Sequence, residues 1–432
     1  MSENLTLYQR RLDAVPRGVT NALPIFVDRA SGSELWDVEG RHYIDFAAGI
    51  AVLNTGHNHP EVMAAIQSQS AKFGHVGFQV TPYEGYVSLA ERLNRLVPGK
   101  GPRKTLFVTT GAEATENAVK IARAHTGRPT IIAFVGGFHG RTMMGMALTG
   151  KVAPYKQLFG PLPSSVYHLP FPDACRDIGE EESLRALDRL FKADVEPSQA
   201  AAIIIEPVQG EGGFLVAPPS FLRRLREICD AHSIVLIIDE VQTGFARTGT
   251  LFAHEQAAIE ADLVPMAKSL GGGFPIAAVT GKAEIMDAAA PGGLGGTFAG
   301  SPIGCAAAHA VLDVIEKENL CSRAVEIGAR LMTEVQAWSN EAEFACIGDV
   351  RGLGAMVAFE LVKDRDAHRP DAELTRRVVA AGGQTGVLLL ACGLYGNVIR
   401  LLAPLTISNA LLDEGLSRLK AALRAGMAEQ AA

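Results

Sequence analysis

Three short stretches place chemically capable side chains where an apolar run ends. Lys268 follows the run Leu263–Ala267 and precedes Ser269-Leu270-Gly271-Gly272-Gly273, so an amine sits between a buried segment and glycines that let backbone approach a ligand closely. Asp239 closes the run Ile234–Ile238, where a carboxylate is costly to desolvate unless it meets a cation or caps a helix. After the run Thr105–Thr109 comes Thr110-Gly111-Ala112-Glu113-Ala114-Thr115-Glu116-Asn117, which opens a helix. Its small residues leave backbone N–H groups free at a positive helix end, where a phosphate can dock. Each feature alone has an ordinary reading: a solvated lysine, a capping aspartate, and a capping box formed by Thr110 and Glu113. Together, a phosphate cradle, a carboxylate and an amine at one edge suit pyridoxal phosphate. That cofactor needs an anchor for its phosphate, a partner for its pyridinium nitrogen and an amine for the Schiff base. The carboxylate would keep the ring protonated so that it draws electrons from a carbanion, and the lysine would move the proton.

The elements that bring these residues to one edge read as alternating strands and helices. The β-branched runs are Thr105–Thr109, Ile131–Val135, Val166–Leu169, Ala202–Glu206, Ile234–Asp239, Leu263–Ala267 and Ile276–Thr280. Continuous apolar strands between helical stretches imply an α/β fold, doubly wound, around a mainly parallel seven-stranded sheet buried on both faces. Ligands of such sheets sit beyond the carboxyl ends of the strands. We place this large domain at residues 60–310. Residues 1–59, with two short strands about the Glu39-Gly40 turn, and residues 311–432 read as the two parts of a smaller α+β domain. In the second part, helices are expected at Ala306–Lys317 and Ser322–Ser339, strands at Ala355–Leu361, Val387–Ala391 and Val398–Leu402, a solvated loop at Lys363–Pro370, and a fraying C-terminal helix.

Composition excludes several classes of function. The chain has 432 residues, enough for two or three folding units at about 150 residues each. A net charge of −7 gives no general attraction for nucleic acid or an anionic membrane. The longest apolar stretches fall far short of a membrane span of roughly 20 residues, and the N-terminus lacks a basic start and an apolar core, so the cytoplasm is the default compartment. Six cysteines, none in a CxxC pair, suit reduced packing thiols better than a disulfide or zinc framework. Gly352-Leu353-Gly354 lacks the third glycine of a dinucleotide fingerprint, and Gly145 to Lys151 is followed by Val152 where a P-loop needs Ser or Thr. His57-Asn58-His59 has no accompanying ligand cluster, so no metal is expected. A binding scaffold without catalysis would be expected to have lost Lys268 or Asp239, and both are present.

The stretch Ile237-Ile238-Asp239-Glu240-Val241-Gln242-Thr243-Gly244-Phe245-Ala246-Arg247-Thr248-Gly249, continuing through Lys268 to Gly272-Gly273-Phe274-Pro275, resembles the class III (subgroup II) aminotransferases of the fold-type I pyridoxal phosphate enzymes. The likeness covers nearly the whole length. Within that family Phe46 to His57, Glu206-Pro207-Val208-Gln209-Gly210-Glu211 and Gly292 to Thr297 look most like the bacterial 4-aminobutyrate aminotransferases. The resemblance implies Lys268 as the Schiff-base lysine and Asp239 at the pyridinium nitrogen. It also implies Gly111 and Ala112 at the phosphate, Phe138, Val241 and Gln242 around the ring, and Thr297 reaching the phosphate of a neighbouring subunit in a homodimer or homotetramer. Relatives commonly have Ser at Ala112 and often Tyr at Phe138; both departures remove a hydroxyl and bear on cofactor affinity.

The implied reaction passes an amino group from 4-aminobutyrate to 2-oxoglutarate, and the charges of the substrates explain the remaining residues. Arg141 matches the family position for the carboxylate far from the amine, and Arg400 that for the α-carboxylate of 2-oxoglutarate. When 4-aminobutyrate is bound, Arg400 would lack an anion, and Glu211 matches its switchable partner. Ile50 and Gln79 match wall positions, the apolar Ile50 suiting a donor without an α-carboxylate. One methylene changes pocket selectivity by only roughly 1–3 kcal/mol, so 5-aminovalerate, ornithine or acetylornithine stays open as the donor.

Overall fold

All seven β-branched runs form strands of one sheet in the computed structural model, which describes residues 2–428. The sheet order is Arg103–Val108, Ala277–Lys282, Leu263–Met266, Val235–Ile238, Ala200–Ile205, Thr130–Phe134, Val166–Leu169. Six of these strands point the same way; only Ala277–Lys282 is reversed, antiparallel to both of its neighbours. Every residue of Thr130–Phe134, Ala200–Ile205 and Val235–Ile238 is buried, as a sheet covered on both faces requires. The helix Gly111–Thr126 packs on this sheet with Ala114, Ala118, Val119, Ile121 and Ala122 inward, and Gly127 ends it at φ 67°.

Residues from the two ends of the chain meet in a second, four-stranded sheet. Strands Val27–Ser31, Glu34–Asp37 and His42–Asp45 are joined by Val387–Leu388, which pairs in parallel with Ile44 and Asp45. A third sheet contains Ile347–Leu353, Met356–Lys363, Val398–Leu401 and Leu390–Cys392, with Asp366–Pro370 added beside Met356–Lys363. The loop expected at Lys363–Pro370 is therefore a hairpin. Asp364 and Arg365 turn it with φ of 54° and 57°, and its second strand is charged because it lies at a sheet edge. The helix Pro302–Lys317 passes through position 310 without a break. The C-terminal helix is present over Asn409–Ala428, and the expected fraying of its end falls on residues 429–432, outside the described residues.

Arg247, in the loop beyond the strand Val235–Ile238, ties the third sheet to the N-terminal segment. It is fully buried, donates to Asn54 Oδ1 through Nε at 3.0 Å and through Nη2, and reaches the carbonyl oxygens of Ala355 at 3.3 Å and Ala403 at 2.8 Å. No carboxylate among the described residues touches it, so burial pushes its pKa down to about 9, with Asp45 only partly compensating. Arg247→Met keeps the volume of the stem but strands three buried acceptors. It should cost about 3–5 kcal/mol, read as a lower urea midpoint. A loss below about 1 kcal/mol would mean that water satisfies the acceptors as well as the guanidinium does.

Candidate active site

The carboxyl ends of the central strands open into a cavity of about 560 Å³. Lys268, Asp239, Gly111, Ala112, Val241 and Gln242 line it, as do Phe138, Arg141 and Glu211. Nine of the residues singled out in the sequence thus share one space.

Helix capping and an anion cradle coexist at Thr110. Its Oγ1 accepts from Glu113 N at 3.2 Å, and Glu113 Oε2 accepts from Thr110 N at 2.8 Å and Thr109 N at 2.9 Å, a complete capping box. That box leaves the Gly111 and Ala112 N–H groups without a partner among the described residues, both at the positive end of a 16-residue helix. Gly111 has no spare room, because a Cβ there would lie 2.9 Å from Val241 Cγ1. On the other side a Cβ on Gly140 would lie 2.6 Å from the Ala112 methyl, so the cradle is closed by close-packed small residues.

Asp239 is 3 % exposed and held at both oxygens. Oδ2 lies 2.7 Å from His139 Nδ1, and Oδ1 accepts from Val241 N at 3.0 Å. Burial opposes a charge on His139, yet the Asp239 carboxylate outweighs burial and raises the imidazole pKa. The adjacent Glu240 turns the other way, to His254 and Thr243. Glu206 braces the same wall: Oε1 accepts from Phe138 N at 2.8 Å and Oε2 from Gly210 N at 2.9 Å, while burial pushes its carboxyl up.

Lys268 carries backbone strain. Its φ is 44°, in the left-handed region that a residue with a side chain adopts only when the surroundings impose it. Among the described residues its amine makes no hydrogen bond or ion pair. Burial lowers its pKa against the opposing pull of Glu211 and Glu206, so a neutral amine is favoured more than in water. An amine with a lowered pKa, a pinned carboxylate, two unpartnered helix N–H groups and the orphaned buried Oε1 of Gln242 face one cavity, the donor and acceptor set that pyridoxal phosphate requires.

Arg400 does not line the cavity; it lies behind Glu211. It is 4 % exposed, and Nη1 meets Glu211 Oε1 at 2.6 Å while Nη2 donates to Ala391 O at 3.2 Å. Its Nε is buried without a hydrogen-bond partner among the described residues. Burial works against the charge of Glu211, and Arg400 together with the Tyr155 hydroxyl outweighs it and holds the carboxyl below its usual range. Arg141 is exposed within the cavity mouth, its guanidinium carbon 5.1 Å from the Tyr155 ring centroid.

Three further sequence candidates stand outside the cavity. Ile50 is 45 % exposed in a turn where it adopts φ 66°, Gln79 is exposed with Nε2 donating to Gly296 O at 3.2 Å, and Thr297 is exposed beside that carbonyl. His57 and His59 diverge to Asp45 and Glu318, at 2.8 and 3.0 Å. His139, Glu206 and Tyr155 carry no signal of their own in the sequence, and Lys151 stands out there only as the end of an incomplete P-loop. Lys151 donates to Gly393 O at 2.7 Å, and Tyr155 to Glu211 Oε2 at 2.9 Å. Residues 151–162 lie between a short helix and a strand with no periodic pattern, so spacing carries no signal for Tyr155.

The model of the aminotransferase class-III family matches residues 14–423. The chain is 56 % identical over 414 residues to the 5-aminovalerate aminotransferase DavT of Pseudomonas aeruginosa, covering 96 % of this chain and 97 % of that one. It is 54 % identical over 416 residues to the 4-aminobutyrate aminotransferase GabT of Escherichia coli, with the same coverage. A crystal structure of an amine transaminase from an uncultivated Pseudomonas species, in its PLP-bound form, superposes with a TM-score of 0.85 at 30 % identity, covering 95 % of this chain and 96 % of that one. Agreement along almost the entire length, with the lysine, the aspartate and the helix N-terminus gathered on one cavity, makes this chain a class-III aminotransferase.

Proposed function

We propose that the chain transfers the amino group of 4-aminobutyrate to 2-oxoglutarate by a ping-pong reaction, giving succinate semialdehyde and glutamate, with pyridoxal phosphate as cofactor. The observation that carries the donor assignment is the Arg400–Glu211 pair at 2.6 Å. A guanidinium already neutralised by its own carboxylate suits a donor that brings no α-carboxylate, and can be released when 2-oxoglutarate brings one. A second reading, 5-aminovalerate as donor, is supported by the relative at 56 % identity that bears that name.

The bound cofactor supplies an electron sink for the carbanion formed at the amine-bearing carbon. The residues of the chain do the rest. Gly111 and Ala112 offer N–H groups to the phosphate, Asp239 holds a proton at the ring nitrogen with His139 fixing its orientation, and Phe138, Val241 and Gln242 confine the ring. Lys268 provides the amine and moves the proton. Arg141 receives the distal carboxylate, and Arg400 the α-carboxylate once Glu211 leaves it. Thr297, beside the Gln79 contact, is proposed to serve the phosphate of a neighbouring subunit in a homodimer or homotetramer, and Ile50 and Gln79 to complete the wall there. No helix among the described residues is long and apolar enough to cross a membrane, and we propose a cytoplasmic enzyme.

Comparing kcat/KM across 4-aminobutyrate, 5-aminovalerate, ornithine and acetylornithine tests the donor; a best substrate with an α-carboxylate would overturn the assignment. Glu211→Ser tests the two-arginine argument. It should impair the half-reaction with 4-aminobutyrate by about tenfold or more, where an unpaired buried guanidinium costs most, and the half-reaction with glutamate far less. Equal losses in stopped-flow traces would show that Glu211 is not a switch.

A further inference from the structure

Glu211 has two anchors, and only one of them is Arg400. The second is Tyr155, whose hydroxyl donates to Oε2 at 2.9 Å while Oε1 holds the guanidinium. Tyr155 is 9 % exposed and its ring has two further neighbours: Phe138, with centroids 5.0 Å apart and planes inclined by 60°, and the Arg141 guanidinium at 5.1 Å. One side chain therefore contacts residues assigned to both ends of the substrate site, Glu211 through the hydroxyl and Arg141 through the ring face.

We infer that Tyr155 is a positioning residue that biases Glu211 toward Arg400, and so sets how strongly the site prefers a donor with one carboxylate over a substrate with two. The inference rests on the proposed switching of Glu211. The reasoning is a two-state balance. With Glu211 on Arg400, the site accepts a substrate with no α-carboxylate; with Glu211 displaced, Arg400 accepts one. A hydrogen bond from Tyr155 present in the first arrangement shifts the balance toward it by the strength of that bond, which is greater for an ionised acceptor than for a neutral one. Burial and the neighbouring Glu211 charge keep the phenol pKa high, so the hydroxyl stays a donor throughout the working range. The ring is separately held by Phe138 and Arg141, so the donor is presented in a fixed place and does not have to follow Glu211.

Tyr155→Phe removes the hydroxyl and keeps the ring. The ratio of kcat/KM for 4-aminobutyrate to kcat/KM for glutamate, measured in the two half-reactions of the cofactor-loaded enzyme, should fall about tenfold, the equivalent of one hydrogen bond to a charged group. The melting temperature should be close to that of the parent, since Phe138 and Arg141 keep their contacts. On a Glu211→Ser background the same change should leave the ratio where Glu211→Ser alone puts it, because there is no carboxylate left to orient. If Glu211→Ser shifts the ratio and Tyr155→Phe does not, or raises it, the role assigned to Tyr155 is wrong and the switch stands. If Glu211→Ser itself leaves the ratio unchanged, the switch fails, and the inference about Tyr155 falls with it.

Discussion

Lys268→Ala should lose at least about 10⁴-fold in turnover, since it removes both the covalent anchor and the group that moves the proton. The expectation comes from the isolation of the amine. Lys268 has no hydrogen bond or ion pair among the described residues, so its deletion breaks no structural contact of that kind, and the fold should persist. Its left-handed φ of 44° is kept in place by the neighbours at a cost that a methyl side chain meets equally. The variant should still take up some pyridoxal phosphate, because the Gly111 and Ala112 amides, Asp239 and Gln242 are untouched, but the visible absorption band of the bound form should change. A Lys268→Ala protein that transaminates at the parent rate would end the reading of this site.

Asp239→Asn should slow the proton-abstraction step by about 10²–10³-fold, the usual loss when one preorganised electrostatic partner is removed from a water-excluded site. The substitution is nearly isosteric, and its remaining oxygen can still accept from Val241 N, as Asp239 Oδ1 does at 3.0 Å. What it lacks is charge. A neutral amide cannot hold a ring nitrogen protonated, and it also takes from His139 the carboxylate that raises the imidazole pKa. Single-turnover kinetics with 4-aminobutyrate would read the step directly. Unchanged kinetics would reduce Asp239 to a structural acid closing its strand.

The seven strands of the main sheet were legible because most hold a short apolar run rich in β-branched residues between helical stretches, and the carboxyl ends of the central ones pointed to the site. Sheet edges were harder. Asp366–Pro370 is charged and has no buried residue, so its composition imitates a loop. Ile347–Leu353 contains glycines and an arginine and shows no alternation to mark it as a strand. Within the site, the paired Asp239 and Glu240 show what linear order withholds: one carboxylate faces the cavity and its neighbour turns to His254, a matter of backbone direction at the end of a strand. Tyr155 was hidden for a different reason. Its partners Glu211, Phe138 and Arg141 lie on separate segments, and only folding brings them around one ring.

The contacts of Arg247 also order events during synthesis. Its acceptor at Ala403 lies 156 residues further along the chain, so at about 5–20 residues per second the ribosome delivers it roughly 8–30 s after Arg247 itself. Until that interval ends the guanidinium can hold Asn54 but not its last carbonyl partner, and for most of it the parallel strand Val387–Leu388 is not available to pair with Ile44 and Asp45. The junction in which Val387 and Leu388 pair with Ile44 and Asp45 is therefore a step of high contact order, while most strand pairs of the main sheet join nearer neighbours, the pair of Arg103–Val108 with Ala277–Lys282 excepted. A chain stopped short of Ala403 exposes a cation meant for the interior together with an unfinished sheet edge, the kind of surface that proteases and chaperones engage.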